Sequence, residues 1–544
     1  MSRREFLGAA AVSAAGVAAD AAELTKADAL AASPALTGEP YELAGNRIVF
    51  TNWFYVRPGG FGWFNARGEN VTVRGDESPE EAHFRRFDYP HGIRITAQPA
   101  ERVGPILELE KEWEKNGKGI SLLTLHAHEG RYRLWGVCAA GPCYFESEDG
   151  TRWERPELGL VEFQGSRKNN LIDANPGAVF RDPSAPEAER YKGVILDTIS
   201  REAFEAYRKQ RPDGWEPRAE RKDVGHVYAI RGLVSPDGLR WTTLPEPLSV
   251  EHSDTQLVAY YDRRLLRYVL YTRNYMIGAR SPRAPGENTV WWGGDAGGVG
   301  RRSIGRSESA DFRRFPLSEV ILEPGPEMLP NDLLYTNCRT SIPGAPDQHL
   351  MFPAIWHASD DTTSIALASS HNGRIWHYLP GSPVFETAPF GQWDGGAIFT
   401  HPDLVELPDG RFVLPYTGYN VPHKYPRGRF RFAPGLAVWH KGRLAALEAP
   451  VRGEFATVAF YPPGRKLRIN VLTQRAGSLM VEVADMQGKP LPGRTFADVK
   501  PLVGDHHRTT VVWNGQEDIG HPEGAAILLR FRMEKAKLFG LEFA

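Results

Sequence analysis

One phrase returns along this chain and limits what it can become. SEDGTRW occupies residues 147–153, SPDGLRW residues 235–241 and SHNGRIW residues 370–376, with a degenerate copy, SESADFRRF, at 307–315. Each intact copy places Asp-Gly or Asn-Gly three residues before a tryptophan. Those dipeptides tolerate positive φ and make tight turns between antiparallel strands. The aromatics, Trp153, Trp241, Phe315 and Trp376, recur at intervals of about 60 to 90 residues, the length of four short strands with variable loops. Strand pairs fill the intervals. In QLVAYYDRRLLRYVLYTR, residues 256–273, the turn falls at 262–264 and apolar residues fill both flanks. An irregular β-sandwich is the alternative; three close copies in step with strand pairs favour repeated β-sheet units, with the aromatics packed between neighbouring sheets.

Composition agrees. The 544 residues include 55 Gly and 42 Pro, with 11% aromatics, which suits many strands and turns. The length predicts two folded units. A net charge of −2 gives no global field for nucleic acid or an anionic membrane, and no apolar run beyond the N-terminus is long enough to span a bilayer. Three cysteines, Cys138, Cys143 and Cys338, without a C-x-x-C, predict free thiols and no cysteine metal site. No cofactor or metal motif is present.

The chain begins MSRREFLGAAAVSAAGVAADAAE. Arg3 and Arg4 precede a short, Ala-rich apolar stretch and small residues. That is the form of a twin-arginine export signal over residues 1–22, so a periplasmic or secreted protein is expected. Residues 201–223 are charged and predict a partly helical, solvated insertion. Residues 278–300 are Gly-rich around Trp291 and Trp292, a long loop of a functional kind. From residue 443 onward, LRINVLT, SLMVEVAD, TTVVWNG and AILLRFRM alternate apolar and polar residues, which predicts an antiparallel sandwich to the C-terminus.

Four aspartates sit beside apolar strands at similar intervals: Asp182, Asp254, Asp332 and Asp394. In sheets arranged around an axis, one carboxylate per repeat converges at the centre. Crowded carboxylates raise one another's pKa, which lets one act as a general acid while another stays ionised, as glycoside hydrolysis requires. Asp182 and Asp254 form the expected core pair, with Asp332 as a third carboxylate and Asp394 as a substrate ligand. Arg181, His252, Arg273 and Arg339 are the expected cations around them. Trp393, Trp291 and Trp292 are candidate platforms for the apolar faces of sugar rings.

Phe180-Arg181-Asp182-Pro183, the S-x-D-G-x-x-W turns, the Asp-led strands and the alternating C-terminal region together resemble the five-bladed β-propeller glycoside hydrolases of families 32 and 43. The resemblance spans residues 40–544 and implies an all-β chain: a five-bladed β-propeller over 40–442 and a β-sandwich over 443–544. Family 32 enzymes place a transition-state-stabilising Asp in R-D-P, which maps onto Asp182. Their W-x-N-D-P-N motif and E-C dipeptide have no counterpart in this sequence. The turns resemble the Asp-boxes of sialidases, which are structural. The implied activity is an exported glycosidase acting on a poly- or oligosaccharide. A non-catalytic sugar-binding propeller and a polysaccharide lyase are the alternatives.

Overall fold

The computed structural model describes residues 39–58, 90–115, 117–212, 214–221, 225–276, 300–425 and 429–544. The export-signal residues 1–22, together with Trp291 and Trp292, lie outside the described residues. Strands dominate the described residues in eight hydrogen-bonded sheets: a parallel pair, Tyr41–Glu42 with Phe460–Tyr461, a six-stranded C-terminal sheet, and six antiparallel sheets that group along the chain as I to V, two of them forming IV. No described helix is long and apolar enough to cross a membrane.

Sheet I contains Ser121–His128, Arg131–Cys138 and Gly141–Ser147. Sheet II contains Ala178–Arg181, Tyr191–Ile199, His226–Ser235 and Thr242–Thr243. Sheet III contains Val258–Asp262, Arg267–Tyr275, Arg302–Ser309 and Glu319–Leu322. Sheet IV is assembled from two four-stranded halves in continuous order. Asp332–Leu334 and Arg339–Ile342 make its first strand, and Ala345–Met351 with Ala354–His357 make its second. The break falls where Pro353 lacks an N–H to donate and Cys338 takes a φ of 38°. Sheet V contains Ala397–Thr400, Val405–Glu406, Phe412–Tyr419 and Phe432–Trp439. Its outer strand, Glu101–Val103, comes from before sheet I.

The recurring turns fall at one place in this scheme: they follow the third strand of sheets I to IV. Ser147 Oγ accepts the Gly150 N–H at 2.8 Å, and Asp149 Oδ1 accepts the N–H groups of Thr151 and Arg152. Ser235 with Asp237 repeats the geometry, as does Ser370 with Asn372. The aromatic that follows packs between sheets. Trp241 joins Trp135 and Tyr144 of sheet I to Val179 and Leu233 of sheet II, and Trp376 joins Tyr271 and Ile304 of sheet III to Leu334 and Met351 of sheet IV. The preceding sheet also reaches the glycine carbonyl of the turn: Trp135 Nε1 donates to Gly238 O and Tyr271 Oη to Gly373 O, each at 2.8 Å.

Each sheet touches the next, and sheet V returns to touch sheet I through Phe412–Tyr419 against Ser121–His128. Polar contacts at mid-height align the first strands. Val179 N donates to Thr124 Oγ1, and Leu125 N to Pro402 O. Gln256 of sheet III receives Asn337 Nδ2 and Cys338 N from sheet IV, and its own Nε2 donates to Thr400 O of sheet V at 2.8 Å. Sheets III and V are not neighbours in the cycle, so Gln256 crosses its centre.

The C-terminal strands hydrogen-bond as one six-stranded sheet in the order Arg94–Ala97, Ala445–Ala456, Leu528–Phe543, Leu467–Ala484 and Asp505–Thr510, with Arg47–Ile48 added on Leu528–Phe543. The expected alternation holds: Leu467, Ile469 and Val471 are buried while Arg468 and Asn470 are not. Register shifts after Ala449 and Thr473 bend the long strands. One core runs from Phe412 and Leu414 of sheet V to Leu447 and Leu541 of this sheet. Arg47 bridges Glu406 at 3.1 Å and Glu542 at 2.8 Å, and Arg508 bridges the same two carboxylates.

The charged insertion contains a helix, Arg201–Gln210, capped by Ser200 Oγ. It is not solely a solvated excursion, because Phe204 and Tyr207 are buried against Trp215, Ala219 and Val250.

Candidate active site

Gln256 divides the centre of the ring into two ends: one where the first strands begin and one where they finish. Asp254 lies two residues before Gln256, on the beginning end. Its side chain is 46% exposed. Arg273 Nη1 donates to Oδ1, and His252 Nε2 stands 3.7 Å from Oδ2. Burial pushes the Asp254 pKa up, but His252, Arg273 and Arg302 together outweigh it and hold the carboxyl far below the usual range. It is therefore an ionised carboxylate that solvent reaches.

Local sequence builds this arrangement. Ser253 Oγ accepts the Arg273 N–H at 2.8 Å, tying the loop to the second strand of sheet III. Successive residues of that strand face opposite ways. Arg273 and Tyr275 share one face, with the guanidinium 5.1 Å from the Tyr275 ring centre. On the same side, the buried Arg302 lies 4.5 Å from the ring of Tyr335 in sheet IV. Tyr335 Oη meets His423 Nε2 at 2.7 Å. His252 stacks on Tyr228 at 4.6 Å and 11°.

Thr272 and Asn274 face the other way, and both bond Ser318. Glu251 accepts Ser318 Oγ at 2.5 Å and Ser318 N at 3.2 Å. Burial, with the charge of Glu216, pushes the Glu251 carboxyl up to about 7. Strand alternation sets Glu251 and Asp254 on opposite sides of sheet III, so they do not face one bond.

The other expected carboxylates are engaged inside the protein. Asp182 follows the last residue of its strand, on the finishing end, and is fully buried. It accepts Ser184 Oγ at 2.5 Å, Ser184 N at 3.0 Å and Tyr268 Oη at 2.8 Å, with Lys192 Nζ 3.7 Å away. Burial raises its pKa, and these donors bring it below the ordinary value. Asp332 begins its strand but is buried: Oδ1 accepts His357 Nδ1 at 2.8 Å, Oδ2 accepts Leu329 N, and His357 Nε2 continues to Ser364. Asp394 has no exposed surface and accepts Arg102 Nε at 2.6 Å and Tyr416 Oη at 2.8 Å. Trp393 stacks on Tyr416, in space that glycine leaves open; a Cβ at Gly418 would lie 2.3 Å from the Asp394 Cβ and 2.6 Å from Trp393.

The structure thus brings together His252, Asp254 and Arg273. Asp182, Asp332 and Asp394 are each buried and bonded to other partners. Arg181 precedes Asp182 at the finishing end. Arg339 is buried between sheets III and IV, 3.3 Å from the Tyr260 ring centre and donating to His349 Nδ1 at 2.6 Å. Sequence reasoning missed Glu251, Glu216, Arg302, Tyr228 and Tyr335. Glu251 adjoins His252 in EHSD, the one signal available. No group of His, Cys, Asp and Glu among the described residues is placed to hold a metal ion.

No family model matches the chain, and no curated protein does. Solved structures similar to it at low identity are glycoside hydrolases for the most part. An α-L-arabinofuranosidase from Podospora anserina, solved with cellotriose, is 13% identical over 64% of this chain and 99% of its own, with a TM-score of 0.38. A thermostable family-43 glycoside hydrolase is 14% identical over 63% and 93%, with a TM-score of 0.36. An exo-inulinase from Aspergillus awamori is 11% identical over 87% and 99%, with a TM-score of 0.32.

Proposed function

We propose that this protein is an exported, carbohydrate-active five-bladed β-propeller with a C-terminal sandwich, and that it hydrolyses a poly- or oligosaccharide at the Asp254 end of the ring. Five meandering sheets in cyclic contact, closed by an N-terminal strand added to the last, support the propeller reading. The twin-arginine start supports export. One observation carries the functional reading. Directly above the Gln256 contact that crosses the centre stands an ionised, half-exposed carboxylate, with Arg273 and His252 on it and the rings of Tyr228 and Tyr275 alongside. Such a carboxylate suits a nucleophile, a base or an oxocarbenium stabiliser, and the partly exposed Tyr228 ring suits a sugar face. Asp254 takes that role. Arg273 and His252 keep it ionised and in place.

A second reading, glycan binding without hydrolysis, is favoured by the burial of Asp182, Asp332 and Asp394, each already engaged by internal donors. A panel of neutral and acidic glycans, assayed in parallel for binding and for released sugar, separates the two. Hydrolysis predicts release by the wild type that Asp254→Asn abolishes. Binding without release supports the second reading. Release undiminished in Asp254→Asn rejects the site.

A further inference from the structure

We infer that Glu251 is a positioning residue for the Asp254 end of the ring, a buried carboxyl that holds the His252–Asp254 loop and the Arg273 strand in one arrangement from the far side of sheet III. The inference rests on the reading that this end engages the ligand. Three links carry it. Glu251 grips Ser318 through both Oγ and N. Ser318 in turn bonds Thr272 and Asn274, the two residues that flank Arg273. Glu216, the acid closest in effect to Glu251, accepts the backbone N–H of His252 at 2.7 Å. Both sides of the Asp254–Arg273 pair are therefore anchored on one cluster around the buried Glu251.

The cluster is sensitive to charge. The groups facing Glu251 are Glu216, from the segment after the helix, and Tyr207 on the helix, with Arg211 beside it and Arg314 from the loop before Ser318. Burial and Glu216 push the carboxyl up to about 7, so it carries a proton below neutrality and loses it above. The negative charge of Glu216 makes ionising Glu251 costlier. Loss of the proton strengthens Glu251 as the acceptor of the two Ser318 bonds. It also sets a second negative charge against Glu216, which holds the His252 N–H, and the Arg273 strand between them registers the change.

The test is a pH titration of the Arg273 backbone amide resonance, a group that does not itself titrate and lies between Thr272 and Asn274, with arginine-labelled full-length protein and Arg273→Lys for assignment. The wild type is expected to show an inflection near pH 7 that Glu251→Gln lacks. Ser318→Ala removes a donor that lowers the Glu251 pKa and is expected to move the inflection upward. It decides the question if Glu251→Gln fails to fold. An inflection that both variants leave unchanged, or a wild type without one, overturns the inference. No sugar is involved in this readout, so its outcome stands apart from whether the protein releases sugar.

Discussion

Asp182 and Asp254 carry the same sequence signal, an aspartate beside an apolar first strand with a cation near it. The fold uses them in opposite ways. Asp182 finishes its strand, where Pro183 forces a turn, and is consumed by Ser184, Tyr268 and Lys192. Asp254 precedes its strand and keeps nearly half of its side chain in solvent. What separates them is how many donors surround each. A carboxylate enclosed by donors secures the junction between sheets, while one held from a single side remains available to a ligand.

The largest expected effect breaks the comparison at Asp182. Asp182→Ala leaves the fully buried Lys192 without its carboxylate and is expected to cost about 3 to 5 kcal/mol in urea unfolding. Asp254→Asn, at a half-exposed pair, is expected to cost about 1 kcal/mol. Equal losses would erase the distinction. A buried carboxyl of the other kind, Glu251, comes next. Its folded pKa lies above the unfolded one, so the folded state holds the extra proton and stability falls as pH rises from 4.5 to about 7, then levels. The wild type is expected to lose about 3 kcal/mol over that range that Glu251→Gln does not lose. Matched denaturant curves at several pH values check the difference.

Gly418→Ala asks whether Asp394 belongs with Asp182. The added methyl collides with Asp394 and Trp393 and is expected to cost about 1 to 3 kcal/mol by overpacking, read as a fall in Tm. The smallest effect concerns the turns. Ser147→Ala and Ser370→Ala each remove the acceptor for a buried glycine N–H and are expected to cost about 1 kcal/mol apiece. Neither is expected to alter sugar binding, because the turns serve the contacts between sheets.

Much of the fold was legible. The Ser-x-Asp-Gly phrase announces a particular turn after a particular strand, because its hydrogen bonds are local and its aromatic has one place to pack. The degenerate copy at 307–315 proves to be the same turn: Ser309 accepts Asp311 N, and Phe312 and Phe315 fill the space between sheets II and III. The site was less legible. His252, Asp254 and Arg273 lie within 22 residues of sequence, joined by one loop and one hairpin, and local reading reached them. Asp332 and Asp394 are occupied by His357, Arg102 and Tyr416, partners 22 to 292 residues distant that only the folded chain supplies. Glu251 was invisible for the same reason. Its pKa comes from burial and from Glu216, and its grip falls on Ser318, 67 residues along.

The most direct test is to measure sugar release and glycan binding, per folded molecule, for wild type, Asp254→Asn and Asp182→Asn at a temperature where all three are folded. Loss of the glycan response in Asp254→Asn, with Asp182→Asn matching wild type, is the predicted result. A response that survives in Asp254→Asn and disappears in Asp182→Asn would contradict the account.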